Sequence, residues 1–171
     1  MNNILVILIM IFLTSCASMM QKSEKVDLID LSGDEKVVIY YTTNFGHLEY
    51  ASYKIGGGYH YGTTTPKDLH ENFKKALKWD DELGQSTKEI EKEIARYFSG
   101  ITIKYYRTNS YSPSILICYQ DANYQKISKL DCGWIHGRKK IEEAIYKTSP
   151  EYIKIKDEEI KKKRDLKNKL K

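Results

Sequence analysis

The chain has 171 residues, of which 41% are hydrophobic and 12% aromatic, with a formal net charge of +5. That length suits one hydrophobic core rather than two, and that apolar content excludes an intrinsically disordered chain, because there is surface to bury against the entropy of ordering. The positive charge is local: residues 154–171 hold nine Lys or Arg against four Asp or Glu, and the rest of the chain balances at nineteen of each. The body therefore has no electrostatic reason to seek nucleic acid, and none is expected as a partner.

Residues Ile4 to Leu13 are ten consecutive apolar positions, followed by Thr14, Ser15 and Cys16. Ten residues are about half of the roughly 20 that a membrane-spanning helix needs, so the run reads as the core of a signal peptide followed by a small-residue cleavage zone. The segment Leu13-Thr14-Ser15-Cys16 resembles the lipobox of bacterial lipoproteins. That resemblance implies removal of residues 1–15, diacylglycerol on the Cys16 sulfur and a cell-envelope address anchored by lipid. Ala17 follows where the family uses Asp to retain lipoproteins in the inner membrane, so the outer membrane is favoured in a cell with two membranes. The alternative is an uncleaved hydrophobic anchor.

Residues 17–34 are polar and without clear periodicity, which predicts a tether on residues 16–34 and a globular domain on residues 35–148. Lys36–Thr42 and His47–Ile55 are β-branched and aromatic, and Asn44-Phe45-Gly46 between them marks a hairpin. Leu48 and Tyr50 share one face of the second strand while Tyr53 and Ile55 fall on the other, so a bulge is expected near Ala51 and Ser52. Gly56-Gly57-Gly58 breaks the run, and Tyr59-His60-Tyr61 forms a short third strand.

At Thr65 the period changes. Thr65-Pro66-Lys67-Asp68 supplies an N-cap, a first-turn proline and an acidic first turn, and Leu69, Phe73, Ala76 and Leu77 follow at helical spacing, predicting a helix of about 18 residues that stops near Gly84. Ser86-Thr87-Lys88-Glu89 has the form of a capping box, and Ile90, Ile94 and Tyr97 predict a second helix ending before Gly100. Ile101, Ile103 and Tyr105 then alternate with Thr102, Lys104 and Tyr106, and Ile115, Ile117 and Tyr119 alternate with Leu116 and Cys118, around a turn at Asn109–Pro113. A further strand at Lys129–Ile135 precedes a short helix at Lys139–Lys147. Ser149-Pro150 opens a charged helix on residues 149–171. Tyr40-Tyr41-Thr42-Thr43-Asn44 is echoed by Tyr105-Tyr106-Arg107-Thr108-Asn109, each closing a first strand that a second strand, a possible third and a helix follow, which raises the possibility of a duplicated ββ(β)α unit.

With Cys16 assigned to lipid, Cys118 and Cys132 remain, in a compartment where disulfides persist. They form either a bridge or two separate buried thiols. Cys132 and His136 also raise thiol catalysis, an envelope hydrolase acting on peptidoglycan or peptide, although no nucleophile signature precedes Cys132. His47, His60, His70 and His136 are scattered without HExxH or paired Cys-x-x-Cys spacing, so no metal and no cofactor are expected. Asp80-Asp81-Glu82 lacks the spaced oxygens and glycine of a calcium loop and reads as a solvated helix face. Tyr59, His60 and Tyr61, with Tyr105, Tyr106 and Tyr111, form a candidate recognition surface, since tyrosine combines rigid apolar area with a polar tip.

The fold expected is α+β, an antiparallel sheet built from hairpins with two or three helices packed on one face and a charged C-terminal helix outside it. The function expected is a non-enzymatic binding or assembly module whose partner is another envelope protein or cell-wall polymer, with a small-ligand carrier as a further possibility.

Overall fold

A computed structural model describes residues 25–44, 47–61, 64–85, 88–108, 112–120 and 131–170. The expected signal peptide and lipid-bearing Cys16, and also Tyr111, lie outside the described residues. Eight strands make two antiparallel meanders. The first sheet comprises β1 (Lys25–Asp30), β2 (Val37–Asn44), β3 (His47–Ile55) and β4 (Gly58–Tyr61). Helix α1 (Pro66–Leu83) follows it. The second sheet comprises β5 (Ile90–Arg96), β6 (Ile101–Arg107), β7 (Pro113–Tyr119) and β8 (Asp131–His136), followed by α2 (Arg138–Lys147) and α3 (Pro150–Lys169). The molecule is an α+β fold.

The two sheets repeat one plan. Val37 pairs with Ile55 and Ile39 with Tyr53 in the first; Ile101 pairs with Tyr119 and Ile103 with Ile117 at the corresponding places in the second. The outer strands correspond too, since Ile29 opposite Ile39 is matched by Ala95 opposite Ile103. The echoed segments close not the first strand of each unit, as expected, but the second: Tyr40–Asn44 ends β2 and Tyr105–Arg107 ends β6, with β1 and β5 preceding them.

The apolar alternation of β6 and β7 explains where the core sits. Ile101, Ile103 and Tyr105 of β6 and Ile115 and Ile117 of β7 are buried, and the intervening residues are half-buried. Helix α1 lays Leu69, Phe73 and Ala76 on that face, and α2 adds Ile141 and Ala144. Thr65 caps α1 reciprocally with Asp68, the two side chains each taking the other's backbone N–H, an arrangement worth about 1 kcal/mol per cap. The first sheet joins the same core through Ile29, Leu31, Val37, Ile39 and Ile55. Gly133 is the point of contact between the sheets: a Cβ there would lie 2.5 Å from Val37 Cγ2 and 2.7 Å from the Lys36 carbonyl oxygen. Only glycine lets β2 lie so close against β8.

Three expectations are corrected. Residues 90–96 form strand β5 and not the second helix expected after the Ser86–Glu89 capping box. Ile94 is its single fully buried residue, and a bulge between Glu93 and Ala95 turns it inward. The pairing of β2 with β3 runs without interruption through Ala51 and Ser52, and the irregularity lies between Thr42 and Asn44. The region expected to be a tether contains β1 at Lys25–Asp30, after which Asp30 accepts the backbone N–H groups of Ser32, Gly33 and Glu35. The charged helix α3 packs through half-buried Tyr152 and Ile153 and buried Ile160, and its last turns are exposed.

Candidate binding surface

The face of the second sheet that α1 and α2 do not cover can be laid out from the strand register alone. Across its middle run Glu93, Lys104, Leu116 and Trp134; on one side lie Glu91, Tyr106, Ser114 and His136, and on the other Thr102, Cys118 and Cys132. Side chains directly opposite on one face are the pairs that interact in a sheet. Charge therefore collects at the β5 edge and aromatic surface at β8.

The aromatic end is ordered by ring contacts. Tyr106 meets Trp134 edge to face at 5.0 Å, and His136 stacks on Trp134 at 5.2 Å with an interplanar angle of 12°. Ser114 Oγ lies 3.1 Å from His136 Nδ1. At the charged end Lys104 donates to Glu91 at 2.7 Å and Arg96 to Glu93 at 2.6 Å. Hydrogen bonds from Lys104 and then Tyr106 hold the Glu91 carboxyl below its ordinary pKa. Tyr106 is shifted upward, first by loss of solvent and then by its bond to Glu91.

Cys118 and Cys132 face each other across β7 and β8 and are joined by a disulfide with a Cα separation of 4.1 Å. That spacing belongs to the narrower, non-hydrogen-bonded pairs of an antiparallel ladder, where opposed side chains approach most closely. The bridge lies two residues from Trp134 on the same face. Of the alternatives open from sequence, the bridged state is the one present, and the sulfur that a Cys132–His136 catalytic pair would use is bonded to Cys118.

The chain matches no protein family, no curated protein and no solved structure. Its chemistry is therefore read from its own side chains. Among the described residues no group of three His, Cys, Asp or Glu is placed to hold a metal ion.

On the covered side, the structure gathers a polar cluster that sequence reasoning missed. Asp80 is nearly buried, not on a solvated helix face as expected. Tyr105 Oη donates to its Oδ1 at 2.9 Å, Arg107 Nη1 lies 3.4 Å from the same oxygen, and Arg138 Nη1 lies 3.3 Å from Oδ2. Arg107 also donates to the backbone carbonyls of Asp80 and Gly84, closing the C-terminal end of α1. Burial first, then the bond to Asp80, pushes the Tyr105 phenol well above its usual range. The available signal was the helical stripe itself: Leu69, Phe73 and Ala76, continued by one more step, arrives at Asp80.

The expected tyrosine surface divides. Tyr106 is on the uncovered face beside Trp134. Tyr105 is fully buried and is withdrawn from the recognition surface, because it alternates with Tyr106 and points at α1. Tyr59, His60 and Tyr61 lie on β4 opposite Lys54, Tyr53 and Ser52, and their side chains are outside the described part. Trp134 and Leu116, which no sequence motif singled out, complete the surface.

Proposed function

We propose that this chain is a lipid-anchored envelope lipoprotein, a binding or assembly module without catalysis, which meets another envelope protein or cell-wall polymer through the uncovered face of its second sheet. The observation that carries the reading is the Cys118–Cys132 bridge. It accords with an oxidising compartment, and it leaves Cys16 as the odd cysteine of three, at the position a lipobox assigns to acyl chains. Each buried CH₂ of those chains contributes about 0.8 kcal/mol, so two or three chains hold the protein at a membrane essentially permanently. In a two-membrane cell, Ala17 favours the outer one. The Tyr106–Trp134–His136 strip, with Leu116 beside it, supplies the large rigid anchors on which binding surfaces depend.

Two measurements test this. Intact mass of the native protein should show a chain beginning at acylated Cys16; retention of Met1, or an unmodified Cys16, overturns the anchor. Capture of sacculi or cross-linked envelope proteins by the native chain should be lost in Trp134→Ala, with thermal unfolding little changed. Capture unaffected by that substitution overturns the surface. The hydrolase reading needs a thiolate at Cys118 or Cys132, so alkylation of denatured, unreduced protein at either residue would favour it instead.

A further inference from the structure

Strand β5 is an edge strand, and its register places Ile90 opposite Arg107 and Lys92 opposite Tyr105, on the side that faces α1. Lys92 is exposed, at the rim of that side. Between β5 and the second half of α1 the structure leaves a half-open cleft of about 260 Å³, lined by Trp79, Glu82, Leu83, Ile90, Lys92 and Tyr105. Its walls are mostly apolar. Lys92 Nζ stands 3.9 Å from the centre of the Trp79 ring, Lys75 Nζ stands 5.0 Å from the same ring, and Tyr105 meets Trp79 edge to face at 6.2 Å.

The carboxylates nearby are engaged elsewhere. Glu82 lies 3.9 Å from Lys78, Asp81 accepts from Arg138, and Asp80 is held by Tyr105, Arg107 and Arg138. No ion pair of Lys75 or Lys92 is found among the described residues, and each stands near the Trp79 ring. An anion placed in the cleft beside Lys92 would take a charge-assisted hydrogen bond from it while Trp79 keeps its cation contact.

We propose that this cleft is a binding site for a small amphipathic carboxylate, its apolar body against Trp79, Leu83, Ile90 and the Tyr105 ring and its carboxylate on Lys92. The volume is just below the roughly 300 Å³ at which drug-sized pockets begin, so the ligand has on the order of ten non-hydrogen atoms. This site lies on the opposite side of the second sheet from Trp134 and does not rest on the function proposed above.

The test uses the full chain carrying Trp134→Phe, which leaves Trp79 as the one emitter of the two tryptophans. 3-Phenylpropionate is titrated, with 3-phenylpropanol as the uncharged body and acetate as the charge without a body. The expected result is a saturable change in Trp79 emission with 3-phenylpropionate, about tenfold weaker with the alcohol and absent with acetate, in line with one charge-assisted hydrogen bond. Lys92→Gln should weaken 3-phenylpropionate by a similar factor, and Lys92→Arg should restore most of it. Unliganded Trp79 emission and the melting curve report whether each variant is folded. No saturable response up to millimolar acid overturns the proposal. So does equal binding of acid and alcohol, or an unchanged affinity in folded Lys92→Gln; Lys92 then serves only to keep another strand from adding to the β5 edge.

Discussion

The two halves of the molecule share a register and differ in how they close it. In the first, β3 and β4 are joined across Gly56 and Gly57, and Ile55 pairs directly with Gly58. In the second, the equivalent strands are separated by residues 120–130, and Tyr119 still pairs with Asp131. A short turn determines its own register, whereas a long connection must be brought back at an entropic cost. The half with the long connection is the one that carries a disulfide across those two strands. The same ladder is thus held by backbone geometry in one unit and by a covalent bond in the other.

The largest expected effect breaks what joins the halves rather than either half alone. Asp80 belongs to the helix that follows the first sheet, and Arg107 and Arg138 belong to the second unit. Arg107→Met removes the buried cation beside the Asp80 carboxylate and a donor to two helix-end carbonyls, and should lower unfolding stability by about 3 kcal/mol in urea titration. The Lys104→Met change on the same strand, opposite face, where the half-buried lysine has only an ion pair with Glu91 at the sheet surface, should move the titration midpoint little. Equal midpoints for the two variants would show that the buried cluster does not tie the units together.

Next in size is the bridge. Cys118→Ala with Cys132→Ala should cost about 3 kcal/mol by the chain-entropy relation for a loop of this length. Replacing residues 120–130 by a two-residue turn should lower that cost only to about 2 kcal/mol by the same relation, and a bridge equally valuable in the shortened chain would refute the loop account. At the contact between the sheets, Gly133→Ala should cost about 1–3 kcal/mol from forced displacement of Val37 and the Lys36 carbonyl. Gly57→Ala, where an added Cβ meets nothing within 4 Å, should be close to neutral.

The smallest expected effect is alkaline. The folded-state pKa of Tyr105 is raised above the unfolded value of about 10, so below that pH the contribution is fully present. As pH rises past it the unfolded chain loses the proton first, and stability falls by up to about 1.4 kcal/mol per pH unit. Tyr105→Phe should flatten this limb of a stability–pH profile relative to the parent chain, and identical limbs would remove Tyr105 from the account.

Much of this was legible in the sequence because local signals and tertiary needs agreed. Pro66, the Thr65 cap and the Leu69–Phe73–Ala76 stripe all point to a helix, and the alternations of β6 and β7 leave little freedom in their faces. Strand β5 was illegible because they disagreed: Ile90-Glu91-Lys92-Glu93-Ile94-Ala95-Arg96 is rich in helix formers and has apolar residues four apart, yet an open ladder beside β6 outweighs that local preference. The disulfide was readable as a possibility, since spacing restricts but does not determine which residues face each other. Trp134 and Leu116 could not be chosen without the register, which depends on where β8 begins after residues 121–130. Asp80 was misread because a charge within an acidic run looks solvated until Tyr105, Arg107 and Arg138 are placed around it.

The Asp80 carboxylate also has implications for the order in which the polypeptide can mature. A chain made from its amino end delivers the first sheet and α1 before Arg107 and Arg138 exist to receive them. Lys140 and Lys147, which donate to the Ser32 and Asp30 carbonyls, arrive later still. The leading half must therefore wait, incomplete, for the trailing half, and the protein is expected to acquire its shape late and all at once, with residues 25–85 alone failing to persist as a folded fragment.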